Sequence, residues 1–282
     1  MALAILLTDI MVHLSLHLVK QQTWLKEKIA LAENTQFAEF ILKRAIQTAG
    51  FCGCNRLSQL NVHYHLSRPY LPIVPLQLFS RNDSFIEKNI HPESDVLVIE
   101  KMSEKNTDFL GYSCANVIKT NREELYEAGE PLVIADCTQA DIFVPATIFY
   151  QSFFQLITAE KPLTGHYSRA EIGKLNVTGF FIEKTQRKDQ QGQPIKALYS
   201  YDFIHHRKTE WVSGIESMEF FFAAGSDEDS RATFEPSSNE TDLSGVQLIK
   251  IVLSLKSENA FLNQNKTLHK KQEIFIDLRE FS

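Results

Sequence analysis

The first forty-nine residues contain no proline and no glycine; the first of either is Gly50. That absence removes the usual breakers and leaves an opening stretch with nothing in it to force a turn. Chemical signatures are missing as well. There is no Gly-x-Ser-x-Gly elbow, no phosphate-cradling Gly-x-x-x-x-Gly-Lys and no His-Glu-x-x-His, so the common hydrolase, nucleotide and zinc-protease sites are not written in this chain. Asp136 stands beside Cys137, but a cysteine nucleophile needs a positioned base and no residue is singled out as one. The reading is therefore a non-enzyme, with no catalytic residue and no cofactor. Positive charge is in short supply: the net charge is −6 and the pI about 5.9, which argues against binding a nucleic-acid backbone. Internal repeats and low-complexity tracts are absent.

What is present begins with that breaker-free stretch. Residues 1–19 are apolar except for Thr8, Asp9, His13, Ser15 and His17. A membrane span needs roughly 20 mostly apolar residues, and Asp9 at mid-span costs about 2.5–3.5 kcal/mol on insertion scales. The segment is a marginal span, and it lacks the basic start and small-residue cleavage site of a signal peptide. Asp9 and His13 stand one helical turn apart and can pair.

From Lys20 to Ala49, Leu25, Ile29, Ala32, Phe37, Phe40, Ile41, Ala45 and Thr48 recur at three- and four-residue spacings. That is one helical face. Leu25, Ile29, Phe37, Phe40 and Ile41 are the expected packing residues, and Gly50 is a natural helix stop. Unbroken, the stretch is a rod of about 75 Å, longer than a small globule needs.

The rest reads as strands and loops, and 20 phenylalanines suit a strand-built core. Arg56 to Ser94 is loop-like, with Arg68 to Pro75 extended by its prolines. Strands are expected at Asp95–Glu100, Leu132–Ala135, Asp141–Val144, Val246–Leu255 and Glu273–Leu278. Leu175–Lys184 and Lys196–Ile204 form a hairpin across a polar Arg187–Gly192 turn. Val212–Ala223 is strand-like, Ile148–Ile157 is ambiguous, and Gly225–Gly245 is a long acidic loop.

Four clusters could carry chemistry. Cys52-x-Cys54 with His63-x-His65 offers zinc ligands, but single-residue spacings are too tight for one tetrahedral centre. Asp227, Glu228 and Asp229 with Asp242 lack the ligand spacing and glycine turn of a calcium loop. No metal is expected at either. His205-His206-Arg207-Lys208 is a small basic patch at a hairpin end. The cysteines, Cys52, Cys54, Cys114 and Cys137, allow three pairings. A Cys52–Cys54 ring would be small and strained, so each should pair with a distant partner.

Ala32-Glu33-Asn34-Thr35-Gln36-Phe37-Ala38 and the ending Ala49-Gly50-Phe51-Cys52-Gly53-Cys54 resemble the end of the long helix in PilW-type minor pilins of type IV pili. There Gln-Glu-Asn-x-Arg-Phe-Ala runs to Ala-Gly-(Phe/Tyr)-x-Gly-Cys. In order along the chain, Ser94–Leu97, Pro131–Phe143 (the family's Asp-Cys-x-x-Ala-Asp-(Val/Ile)-Phe), Ala197–Tyr199, Val212–Glu219 and Val246–Glu258 are similar to later segments of that family. The family's leader and its Gly-Phe-Thr-Leu-Ile-Glu are not matched. By register from Asn34, Met1–Ile5 lies just beyond that glutamate, so the sequence is expected to start late.

The resemblance implies an α+β, pilin-like fold: a long N-terminal helix packed on a mainly antiparallel β-sheet head domain. Residues 1–24 would be the membrane or filament-core half of the stalk helix, and residues 25–282 a β-rich periplasmic head that includes the amphipathic half of the helix (25–49). It also implies a Cys54–Cys137 bridge, which leaves Cys52 for Cys114. The implied function is a minor pilin in pilus assembly or initiation at the tip. Its partners would be other minor pilins, the major pilin, the inner-membrane assembly machinery and, through the helix, the membrane. The inner membrane would hold it before assembly and the pilus afterwards. The alternatives are a J-type pseudopilin of type II secretion, a tip module binding DNA or a surface through Arg207 and Lys208, and a soluble enzyme with a buried N-terminal helix.

Overall fold

The computed structural model describes residues 2–66, 75–81, 90–114, 116–224, 235–236, 241–242, 246–257 and 267–278. The long helix α1 (Ala2–Gln47) is followed by β1 (Phe51–Cys52), β2 (Asn55–Arg56), a 3-10 turn (Leu57–Gln59), β3 (Asn61–Tyr64) and β4 (Leu76–Phe79). Then come β5 (Val96–Cys114), β6 (Val117–Asn121), β7 (Leu132–Ala135), β8 (Gln139–Phe143), β9 (Pro145–Tyr150) and β10 (Phe154–Ala159). The second half holds β11 (Glu171–Lys188), β12 (Pro194–Asp202), β13 (Arg207–Ser213), β14 (Ile215–Ala224), β15 (Glu235–Pro236), β16 (Thr241–Asp242), β17 (Val246–Lys256) and β18 (His269–Asp277).

These strands overturn the α+β, pilin-like class. Strand accounts for 53% of the described residues and helix for 20%, with one α-helix against large multi-strand sheets. One sheet has twelve strands and another four, in the order β15-β14-β17-β18. The physical cause is the length of two strands. β5 runs for 19 residues and β11 for 18, and they pair antiparallel from Phe180↔Leu97 to Glu171↔Asp108. Each outruns its first neighbour and recruits others along its length. β11 pairs with β12 and β7 as well, and β5 with β4 and β6. Loop-like Arg56–Ser94 contains β3 and β4, and ambiguous Ile148–Ile157 is the β9–β10 hairpin. The expected β11–β12 hairpin is present. Residues 67–74 and most of the acidic loop lie outside the described residues.

Period-two alternation sorts β5 between two cores. Leu97 and Ile99 join one cluster with Phe180, Ile182, Leu198 and the inner face of β14, β17 and β18. Val96, Val98 and Met102 join a second with Cys52, Leu57, Val133 and Phe181. A third, around Ile118, Phe143, Ile157 and Ile172, fills the lobe carrying β6, β9 and β10.

The helix uses a different face from the one its largest residues suggest. Leu31, Thr35, Ala38, Leu42, Ile46 and Ala49 are buried in the first core. Of the expected packing residues, Ile41 is partly buried against that core. Leu25, Ile29, Phe37 and Phe40 are exposed. Small residues lie on that face at Ala38 and at Thr35, both buried, and the Thr35 hydroxyl donates to the Leu31 carbonyl one turn back in the helix at 2.6 Å. The phenyl rings are too wide for that line and stand to its side. Gly50 ends the helical segment with φ of 71°. Its N–H donates to the Glu100 carbonyl at 2.8 Å and its own carbonyl accepts from Leu57 N–H at 2.7 Å, so the helix is fastened to β5 immediately after its last turn.

Leu42→Ala should lower the unfolding free energy by about 2–5 kcal/mol, the cost of a core cavity. Phe40→Ala, at a ring 58% exposed, should cost under about 1 kcal/mol. Urea denaturation of both variants checks which face is buried.

Candidate functional site

Residues 6–29 of α1 make no core contact of the kind that Leu31–Ala49 make. Leu3, Leu6, Ile10, Val12, Leu14, Leu16, Leu18 and Val19 are each more than half exposed, and they occupy all sides of the helix. Asp9 and His13 meet at 3.6 Å, both in the open. Gln21 and His17 are in contact one turn on, at 3.0 Å. Among the described residues no helix is long and apolar enough to cross a membrane, which corrects the transmembrane reading of residues 1–24. The polar side chains at 8, 9, 13, 15 and 17 recur too often for such a span.

Where the helix reaches the body, its uncovered flank and the bare end of the large sheet enclose a groove of about 460 Å³, a size that suits ligand side chains. Phe37, Phe40 and Ile41 form the helical wall. The floor is laid by strand register. One row runs Ile99–Thr178–Asp202–Arg207 across β5, β11, β12 and β13, and the next runs Phe180–Ser200–Thr209. Trp211 closes the far side. Its indole N–H donates to Ser200 Oγ at 2.8 Å and its ring lies 6.4 Å from Phe37. Among the described residues β13 pairs only with β12, so this wall is also a sheet edge.

The groove holds one cation with no partner. Arg44 pairs with Glu104 at 3.2 Å and Lys101 donates to Thr48 Oγ1 at 3.0 Å. Asp202 is held by His205 Nδ1 at 2.8 Å and by the Ile204 and His205 N–H groups. The Arg207 side chain makes no hydrogen bond or ion pair among the described residues and is exposed. The patch at residues 205–208 is thus mostly neutralised: Lys208 donates to Glu183 at 2.8 Å, and His205 also meets Glu130 at 3.0 Å. The bond to Asp202 is the main influence raising the His205 pKa.

Cys54 is bonded to Cys137, closing 83 residues between the post-helix hairpin and the β7–β8 turn. The expected Cys52–Cys114 bridge is not made: Cys52 is a buried free thiol and Cys114 an exposed one. Cys52 packs in the core beside Met102. Cys114 lies twelve residues farther along β5, on the order of 40 Å of strand, against a bridging limit near 7 Å. Burial, with Glu100 and Glu171 nearby, pushes the Cys52 thiol up to about 12, which makes it inert. Removing the Cys54–Cys137 bridge by paired alanine substitution should cost about 2–4 kcal/mol, read from urea unfolding.

The histidine–cysteine cluster is not assembled either. His65 Nε2 bonds Asp141 Oδ1 at 2.7 Å, and no group of three His, Cys, Asp or Glu residues among those described is arranged to hold a metal. Asp227, Glu228 and Asp229 lie outside the described residues, as does the side chain of Asp242. Asp141 is fully buried and takes Gly165 N–H at 2.8 Å and the Tyr167 hydroxyl at 2.9 Å as well. Thr164 Oγ1 stands 3.4 Å from the same His65 nitrogen that meets Asp141. A catalytic triad needs opposite ring nitrogens, so this cluster ties a loop to β8. Asp136 does a similar job, accepting from Thr138 N–H and Gln139 N–H to shape the turn that carries Cys137.

Glu100 is the buried group that sequence reading passed over. It is fully buried in β5, and neither carboxyl oxygen has a hydrogen-bond partner. Burial pushes its pKa up to about 8, so it is neutral at pH 7. An acid whose folded pKa is raised favours the folded state fully only below its unfolded pKa. Stability is then lost as pH rises from about 4.5 to 8, by on the order of 5 kcal/mol in total. Glu100→Gln should flatten that slope and raise the melting temperature at pH 8 above that of the parent, with little change at pH 4.5.

Comparison with known proteins finds no matching family model, no similar curated protein and no similar solved structure.

Proposed function

We propose that this chain is an assembly subunit of an extracellular filament, a minor pilin acting in type IV pilus assembly or initiation at the tip. The observation that supports the reading is the helix. Its last third is packed into the body, and between residues 6 and 19 it presents exposed apolar side chains on every side. Apolar surface on that scale marks an interaction site. A helix with apolar side chains on every side needs cover, here supplied by the helices of other subunits. The ordered motifs at residues 32–54 and 131–143 support the same reading by resemblance. The partners are then other minor pilins, the major pilin and the assembly machinery. The Cys54–Cys137 bridge suits a body outside the cytoplasm. Before assembly the helix would lie with neighbouring subunits' helices at the inner membrane, and afterwards in the pilus.

Deletion of the gene in its own host should abolish or sharply reduce surface pili seen by electron microscopy. Full-length wild type should restore them, and Ile10→Lys/Leu14→Lys should not. Both positions are exposed, so the variant body should melt within about 0.5 kcal/mol of wild type. Unchanged piliation on deletion would sink the proposal.

A further inference from the structure

The joint between helix and body is made on the main chain of Glu100. The Gly50 N–H donates to the Glu100 carbonyl at 2.8 Å, the Glu100 N–H donates to the Pro75 carbonyl at 2.9 Å, and the Leu57 N–H returns to the Gly50 carbonyl at 2.7 Å. By alternation the Glu100 side chain shares a face of β5 with Val98 and Met102, in the second core. Burial first, and then the Glu100 carboxyl, raises the pKa of both Cys52 and Tyr64, which places these two against it. The elements that carry them are slight. Among the described residues β1 and β2 are two residues each and pair only with each other, and β3 pairs only with β8. On the other side lie β5 and β11, of 19 and 18 residues, each paired with several strands. Lifting the β1–β2 hairpin is therefore the least costly way for water to reach the carboxyl.

The surroundings offer the carboxylate no cation. Cys52, Tyr64 and, on β11, Glu171 are acids, and Glu171 accepts from Asn106 Nδ2 at 2.5 Å. Arg56 of the hairpin donates to the Gln47 carbonyl at 2.8 Å. Lys101 and Arg44 line the groove on the opposite face and share Glu104. His65 and Asp141 bond each other at 2.7 Å, and β4 and β7 bring no titratable side chain.

We infer that Glu100 is a pH-sensitive latch on this joint: loss of its proton to water opens the Gly50–Leu57 segment locally, breaking the bond to the Glu100 carbonyl while the large sheets stay intact. The Cys54–Cys137 bridge keeps the opened hairpin tethered to the β7–β8 turn, so it closes again when the pH falls. The sign follows from linkage. The closed form holds the carboxyl at about 8, against an ordinary 4.5 once water reaches it. Opening releases a proton between those values, so its equilibrium constant rises about tenfold per pH unit there and levels off above.

The test uses Cys52 as reporter in the full-length chain carrying Cys114→Ser, which removes the exposed thiol. A non-ionic detergent covers the helix. The rate of Cys52 alkylation by iodoacetamide is divided at each pH by that of a free model thiol, which cancels the titration of the thiol itself. From pH 5.5 to 7.5 the ratio should rise about 100-fold in the Cys114→Ser parent and change by less than about threefold once Glu100→Gln is added. Low concentrations of urea should leave the ratio unchanged, because a local opening exposes little surface. Hydrogen exchange on the wild-type chain gives a second reading. The Gly50 and Leu57 amides should follow the same rise, with at least about tenfold less protection than the Ile251 amide of β17.

Three outcomes overturn the latch. An equal rise with and without Glu100→Gln assigns the titration to another group. A ratio as steep in urea as global unfolding, with Gly50 protected as fully as Ile251, shows that the joint does not open by itself. A ratio flat with pH in the parent shows that no proton leaves on opening. None of these is read from piliation, so the latch and the assembly role stand or fall separately.

Discussion

The constraint on which everything else hangs is the stiffness of one helix. Forty-six residues without a breaker form a rod of about 69 Å, and the body is wide enough to cover only its last third. The stripe Leu31–Thr35–Ala38–Leu42–Ile46–Ala49 is the apolar attachment, supported by polar bonds such as Asn34 to the Ser213 carbonyl, Arg44 to Glu104 and Gly50 to the Glu100 carbonyl. Burying each large apolar side chain of that stripe is worth about 1.5–3 kcal/mol. No such burial acts on residues 6–19. Their exposure is therefore a direct consequence of a sequence that forbids bending, and any partner must come to the helix.

The body is built to hold that attachment rigidly. β5 sits at its centre and serves two cores by alternation, and the same strand supplies Ile99 and Lys101 to the groove and Glu100 to the opposite face. Glu100 is the uncomfortable member. A carboxyl with no partner on either oxygen costs stability, and it sits where the helix is fastened to the sheet. Cys52, Tyr64 and Glu171 are the titratable groups that bear on it or on its neighbour Cys52, and each is an acid in its own right. None can neutralise its charge, so protonation is the available relief.

Some of this was legible from the sequence and some was not, for separable reasons. The helix, its stop at Gly50, the β11–β12 hairpin and the strand at residues 132–135 follow from local pattern, and local pattern is what sequence carries well. The resemblance brought Cys54 to Cys137. The fold class was misjudged because the extents of β5 and β11 depend on non-local pairing. Residues 101–121 contain glutamate, lysine and asparagine, and no single-strand pattern marks them. The buried face of the helix was misjudged because the large residues Phe37 and Phe40 were read as the packing set, while the neighbouring sheets fit against alanine and threonine.

That misjudged face also explains the groove. If the aromatic side chains had packed on the sheet, the end of β11, β12 and β13 would be covered and Trp211 would have no exposed neighbour. Because the helix instead turns its narrow stripe inward, Phe37 and Phe40 are left standing beside a bare four-strand floor. One rotation of the helix about its axis thus sets two things at once. It opens a wall-and-floor cleft on the body, and it carries through the rigid helix to fix where Leu6, Asp9, Val12 and Leu16 point at the far end. A substitution that re-seats the stripe, such as a larger residue at Ala38, would move both surfaces together. The cleft and the exposed far end of the helix are therefore not independent features of this chain, since a single packing choice at residues 31–49 determines the angle between them.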